Sequence, residues 1–286
     1  MNVRKFRFSH FSAATILSTG IVSALWAMLA MPPSSLPASG GGIAAAEELE
    51  VLPTTPSPSA SDLYDYIEVI GGCGPYYEGG ECVRTYSGAG EEYGKVDRLR
   101  KGVILKVEPV LVGLRKWYRI VFDEPVRYPE RLARVQYVPS ENVRRFYGDG
   151  IRELDPRETA STTKKIIVDR SAQKLYAYDS DELFMEATIS TGLQLTPTPR
   201  GNFTVYKKTP TRYMQGPLPG VSDQYYDLPG VPWNLYFTKE GGVIHGAYWH
   251  DKFGRTWSHG CVNVPLPEAQ KLYEWADVGT HVLVRD

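Results

Sequence analysis

Cys261 stands in the run Trp257-Ser258-His259-Gly260-Cys261-Val262-Asn263-Val264. Three of the five histidines, His245, His250 and His259, lie within sixteen residues of it. Thiol and imidazole together admit two chemistries. In the first, the thiol is a nucleophile. A free cysteine has a pKa of about 8.5, so little of it is thiolate at neutral pH. A neighbouring imidazole, with a pKa near 6.5, can take its proton. Attack on an acyl carbonyl also needs donors for the oxyanion that forms. A glycine just before the nucleophile lets backbone N–H groups approach closely, because it has no Cβ. His259-Gly260-Cys261 has that order, and the base then has to come from a separate strand or loop. In the second chemistry, Cys and His ligate zinc. The spacings fit it poorly: His245 to His250 is a lone H-x4-H, with no C-x2-C and no second half. The third reading, a buried cysteine among packed histidines, needs no catalysis at all.

The elements that must position these residues read as strands. The segments 165–169, 174–178, 183–190 and 202–207 are short, rich in β-formers, and separated by turn residues such as Asp169-Arg170-Ser171 and Asp179-Ser180-Asp181. A strand-like Val243-Ile244 leads into His245. Between them, 210–232 reads as a long Pro/Gly/Tyr-rich loop, of the kind that forms lids or binding loops. Tyr213, Tyr225 and Tyr226 on it would form such a lid or pack locally. Residues 267–276 read as a helix, with Pro267 early and Leu272, Tyr273 and Trp275 packing. Upstream, 63–150 reads as a separate small β-barrel, with apolar runs at 103–107 and 117–122.

The N-terminal end concerns location. Arg4, Lys5 and Arg7 precede an uncharged stretch, 11–31, long enough as a helix to cross a hydrocarbon core of about 30 Å. The basic flank predicts a cytoplasmic N-terminus and an exported remainder. The segment 1–31 is thus a retained anchor or a cleaved signal, with Ala44-Ala45-Ala46 as a cleavage site in the second case. Residues 32–62, rich in Pro and Ser, read as a linker. In an oxidising compartment, Cys73 and Cys82, nine apart in a glycine-rich loop, are expected to pair, which leaves Cys261 odd. The 286-residue chain has 32 Lys+Arg against 33 Asp+Glu, a net charge of −1 that gives no reason to expect nucleic acid.

The motifs also carry a family resemblance. Ser258-His259-Gly260-Cys261-Val262-Asn263, preceded by Ile244-His245-Gly246, resembles the signature of the L,D-transpeptidases, the YkuD-type catalytic domain. Thr191-Gly192 with Thr196-Pro197-Thr198-Pro199-Arg200-Gly201-Asn202-Phe203 resembles that family's substrate-side strand and turn, and the likeness spans about 162–286. Val83-Arg84-Thr85-Tyr86-Ser87-Gly88 and Trp117-Tyr118-Arg119-Ile120 resemble bacterial SH3-like domains, which suggests docking to wall polymer or, equally, a spacer. The expected fold is mainly β: a small SH3-like β-barrel followed by a YkuD-type β-sandwich with short helices. The resemblance implies that Cys261 attacks the carbonyl of a donor tetrapeptide stem of peptidoglycan. His245 would be the base, oriented by the backbone of Gly246, and the N–H groups of Gly260 and Cys261 would bind the oxyanion. Ser258, His259 and Asn263 would brace the loop or act directly. Tyr248, Trp249 and His250 would line the acceptor side or pack. Neither cofactor nor metal is required. An amine acceptor gives cross-links, and water as acceptor gives an L,D-carboxypeptidase. A silent thiol leaves only a wall-binding protein.

Overall fold

Runs of Val, Ile, Tyr and Thr between turn residues fold as strands, because branched and aromatic side chains pack well on a pleated surface. The computed structural model describes residues 63–132, 135–155 and 162–286. The expected anchor, 1–31, and linker, 32–62, lie outside the described residues. Among the described residues, no helix is long and apolar enough to cross a membrane.

The first sheet is built from β1 (Tyr64–Val69), β2 (Val83–Tyr86), β3 (Lys95–Leu99), β4 (Ile104–Val112), β5 (Arg115–Ile120), β6 (Tyr137–Pro139) and β7 (Val143–Gly148). Its order is β3-β2-β6-β5-β4-β1-β7, with every pairing antiparallel. The disulfide Cys73–Cys82 closes the loop between β1 and β2 and leaves Cys261 as the free cysteine.

Two five-stranded sheets follow. One has the order β11-β10-β9-β17-β12, from β9 (Lys164–Asp169), β10 (Lys174–Asp179), β11 (Glu182–Thr188), β12 (Gly201–Thr204) and β17 (His281–Arg285). The other has the order β16-β15-β14-β13-β8, from β8 (Arg152–Glu153), β13 (Lys207–Leu218), β14 (Ser222–Tyr236), β15 (Val243–Gly246) and β16 (Val262–Val264). Ile166, Val168 and Leu175 of the one meet Leu235, Ile244 and Val262 of the other in a shared core. The helix α1 (Leu266–Trp275) closes that core with Ala269, Leu272 and Tyr273.

Two expectations are corrected. First, 210–232 is not a loop. It is most of a long antiparallel hairpin, β13–β14, with its turn between Leu218 and Ser222. Prolines break a sheet pattern on paper, yet Pro217 falls at a register shift between Gly216 and Leu218, where the ladder is already interrupted. Second, the first sheet does not have a private core. Tyr66 and Ile104 join the core of the later sheets, and Leu228, Val231 and Tyr248 join the core of the first. The two regions read separately from sequence fold as one compact unit.

Candidate active site

β15 and β16 run parallel, and their register sets His245 beside Asn263, with Cys261 just before β16 begins. His245 is 1% exposed. Its Nδ1 lies 3.0 Å from the carbonyl oxygen of Gly246. A carbonyl can only accept, so Nδ1 carries the ring proton. Nε2 is then an unprotonated acceptor, and it is buried with no hydrogen-bond partner. Burial pushes the imidazole pKa down to about 4; Gly246 opposes that shift, and Arg212 and His250 add to it. The ring is therefore neutral at pH 7.

Cys261 is partly exposed as a residue, while burial pushes its thiol up from its ordinary value, against the pull of Arg212 and the Val243 N–H. The thiol points to the carbonyl oxygen of Gly241 at 3.7 Å. Both members of the pair are thus neutral at rest.

The loop before Cys261 is tied from several sides. Ser258 Oγ donates to the Cys261 carbonyl at 2.5 Å and accepts the Gly260 N–H at 3.1 Å. Gly260 has φ +115°, a conformation that side chains oppose. Its N–H is taken up by Ser258, which departs from the expected pairing of Gly260 and Cys261 N–H groups as oxyanion donors. Thr198 Oγ1 also donates to the Cys261 carbonyl, at 3.3 Å. The N–H groups of Trp257 and Ser258 donate to the Thr191 carbonyl at 2.9 and 3.1 Å. Gly192 must be glycine, because a Cβ there would lie 2.1 Å from the Thr196 carbonyl oxygen. The segment 191–200 is a brace for the cysteine loop.

His250 is 2% exposed. Its Nδ1 accepts the Lys252 N–H at 3.1 Å, so Nε2 carries the proton when the ring is neutral. Nε2 lies 2.8 Å from the side-chain amide of Asn263, whose oxygen otherwise has no partner. The amide is best oriented with its oxygen toward that N–H. His250 therefore braces Asn263.

A cavity of about 600 Å³ joins His245, Trp249, Ser258, His259, Gly260, Cys261 and Asn263. Three expected substrate-side residues lie elsewhere. Tyr248 is in the core shared with the first sheet, and its hydroxyl donates to the Pro229 carbonyl at 2.6 Å. Tyr213 packs on Phe122, and its N–H donates to Glu124 Oε1 at 2.6 Å. Tyr225 is exposed, with the Arg131 guanidinium over its ring. The reason is strand parity. Gln224, Tyr226 and Leu228 alternate along β14 and face the cavity, so Tyr225 points the other way. On β13, Arg212 and Met214 line the cavity and Tyr213 does not. Tyr226 stacks on His259, with ring centroids 5.5 Å apart.

Sequence reasoning missed Arg212, Gly241, and two arginines from the first sheet's loops, Arg100 and Arg127, which also line the cavity. The loop carrying Arg127 grips the hairpin. Tyr128 donates its N–H to Gln215 at 2.7 Å and its hydroxyl to Pro217 at 2.9 Å, and Arg131 donates to Gly216 at 2.6 Å. Nothing local in the sequence links 127–131 to 215–217. Among the described residues, no group of three or more His, Cys, Asp or Glu is placed to hold a metal.

Comparison with known proteins adds to this geometry. Residues 163–284 match the family model of YkuD, the L,D-transpeptidase catalytic domain. A putative L,D-transpeptidase YkuD of Bacillus licheniformis is 26% identical over 123 residues, which are 42% of this chain and 64% of that protein. The chain thus spans just under two thirds of that relative's length. Among solved structures, a mutant Enterococcus faecium L,D-transpeptidase is 28% identical, over 43% of this chain and 50% of that one, with a TM-score of 0.39. An L,D-transpeptidase from Mycobacterium smegmatis is 22% identical, over 63% and 99%, with a TM-score of 0.41. The match to the YkuD family, the L,D-transpeptidase catalytic domain, thus falls on the segment 163–284, which holds both His245 and Cys261.

Proposed function

We propose that the protein is a cysteine-dependent L,D-transpeptidase that cross-links peptidoglycan stem peptides outside the cytoplasm. The observation that carries this reading is the unprotonated, partnerless Nε2 of His245 in the same cavity as the one free thiol among the described residues. His245 takes the Cys261 proton on Nε2, while Nδ1–H stays on the Gly246 carbonyl and steadies the imidazolium. The sulfur leaves Gly241 and bonds to the donor carbonyl carbon. The resulting oxyanion is held by the Cys261 N–H. His245 returns the proton to the leaving amine, the C–N bond breaks, and a thioester remains. An acceptor amine then attacks the thioester, giving its proton to Nε2, and Cys261 recovers it as the thiolate leaves.

The external location is supported by the Cys73–Cys82 disulfide, which persists in an oxidising compartment. Residues 63–150 are read as the SH3-like unit, and their grip on the hairpin gives them a part in shaping the site as well as any hold on wall polymer. The reaction is tested by incubating the protein with a tetrapeptide stem. The expected products are cross-linked dimer and free D-alanine, both absent with Cys261→Ala. Tripeptide alone would convert the reading to a carboxypeptidase. Equal processing by Cys261→Ala would end it.

A further inference from the structure

The mechanism gives no task to Arg212, one of three arginines that line the cavity. Arg212 projects from β13 into the space that holds Cys261 and His245. Its Nη1 is buried and makes no hydrogen bond. A buried guanidinium N–H without an acceptor is costly, so an open one here marks a place for an acceptor from outside. Among the described residues, no carboxylate lies within ion-pair distance of it. The acidic neighbour acting through space is Glu124, and that carboxyl already accepts the Tyr213 N–H. Burial also pushes Glu124 up to about 7, which weakens it as a standing partner for the guanidinium. Burial opposes the Arg212 charge too, but the net direction is upward, so the guanidinium stays charged. The remaining charged groups of the cavity are Arg100, Arg127 and Glu240, so cations predominate.

We propose that Arg212 binds the terminal carboxylate of the donor stem, the carboxylate of the residue that leaves. The proposal rests on the transpeptidase reading above. Arg212 lines the same cavity as Cys261 and His245, and its charge acts on both. In a donor whose last peptide bond is attacked, the terminal carboxylate is three covalent bonds from the attacked carbon. The other carboxylates of a stem lie farther along the chain. A planar guanidinium takes a carboxylate through two parallel N–H···O bonds, which fixes orientation as well as position. Arg212 thereby selects donors whose scissile bond precedes the last residue. The bound anion also offsets the cation that opposes a proton on His245, so the correct donor makes the base stronger.

The test compares two donor stems that differ only at the C-terminus, a free carboxylate and its carboxamide. The rate of Cys261 acylation by each is followed by intact mass in wild type, Arg212→Gln and Arg212→Lys. Wild type is expected to favour the carboxylate on the order of tenfold to a hundredfold in kcat/KM. Arg212→Gln should bring the ratio close to one, and Arg212→Lys, a point charge without the fork, should fall between. A wild-type ratio near one overturns the proposal, as does Arg212→Gln with the full ratio. If Arg212→Gln does not fold, Arg212→Lys decides: an undiminished preference there contradicts the two-bond contact. A wild type acylated by neither donor nor by a carbapenem refutes the transpeptidase reading and the proposal with it. Equal acylation by both donors refutes Arg212 alone.

Discussion

Two opposed shifts mark the proposed reacting pair. Burial drives the His245 pKa down to about 4 and the Cys261 thiol up, so neither is charged at rest. The proposed pair is a neutral thiol and a neutral base lining one cavity, not a standing ion pair. The pH dependence follows. His245 must be unprotonated to act, so the acid limb of kcat/KM for acylation is expected near pH 4. A limb near 6.5, the ordinary histidine value, would show that the ring is not buried as described. The same shift affects stability. The folded pKa lies below the unfolded one, so this contribution is intact above about pH 6.5 and is lost as the pH falls through about 4. Cys261 and the glycine before it were readable from side-chain type and adjacency, whereas the choice of His245 as base among the nearby histidines rested on the family resemblance. Arg212 was not legible in the sequence. It is one of 32 basic residues, and only the fold distinguishes it.

The hairpin β13–β14 shows what sequence pattern hides. Its prolines, and a sheet with protein or cavity on both faces, leave little apolar–polar alternation to read, so 210–232 looked like a loop. Once it is a strand, parity separates Tyr225 from Tyr226. Tyr226 faces the cavity and stacks on His259, and Tyr225 faces outward. Tyr226→Ala is expected to lower acylation kcat/KM about twofold to tenfold, the worth of a lost aromatic contact. Tyr225→Ala should stay within about twofold. Steady-state kinetics of the two variants checks this, and the reverse order of effects would mean that the register of β14 is wrong. The strands 165–169 and 174–178 were read to within a residue of their observed bounds, since each is a short apolar run between clear turns.

At the scale of the molecule, the change of texture between 63–150 and 162–286 was visible, but the shared packing was not. It depends on side chains far apart in sequence. Tyr66 and Ile104 serve the later core, and Leu228, Val231 and Tyr248 serve the earlier one. Each such side chain contributes on the order of 1.5–3 kcal/mol when fully buried. A fragment 151–286 is therefore expected to melt well below the fragment 63–286 and to bind a hydrophobic dye. Equal melting temperatures would show that the two regions are independent. The central claim, that Cys261 carries the acyl group with His245 as its base, is tested most directly by intact mass after mixing with a tetrapeptide donor or a carbapenem. One adduct mapping to Cys261 is predicted for wild type, none for Cys261→Ala, and a strongly slowed one for His245→Ala. An adduct on another residue, or acylation of His245→Ala at the wild-type rate, would contradict it.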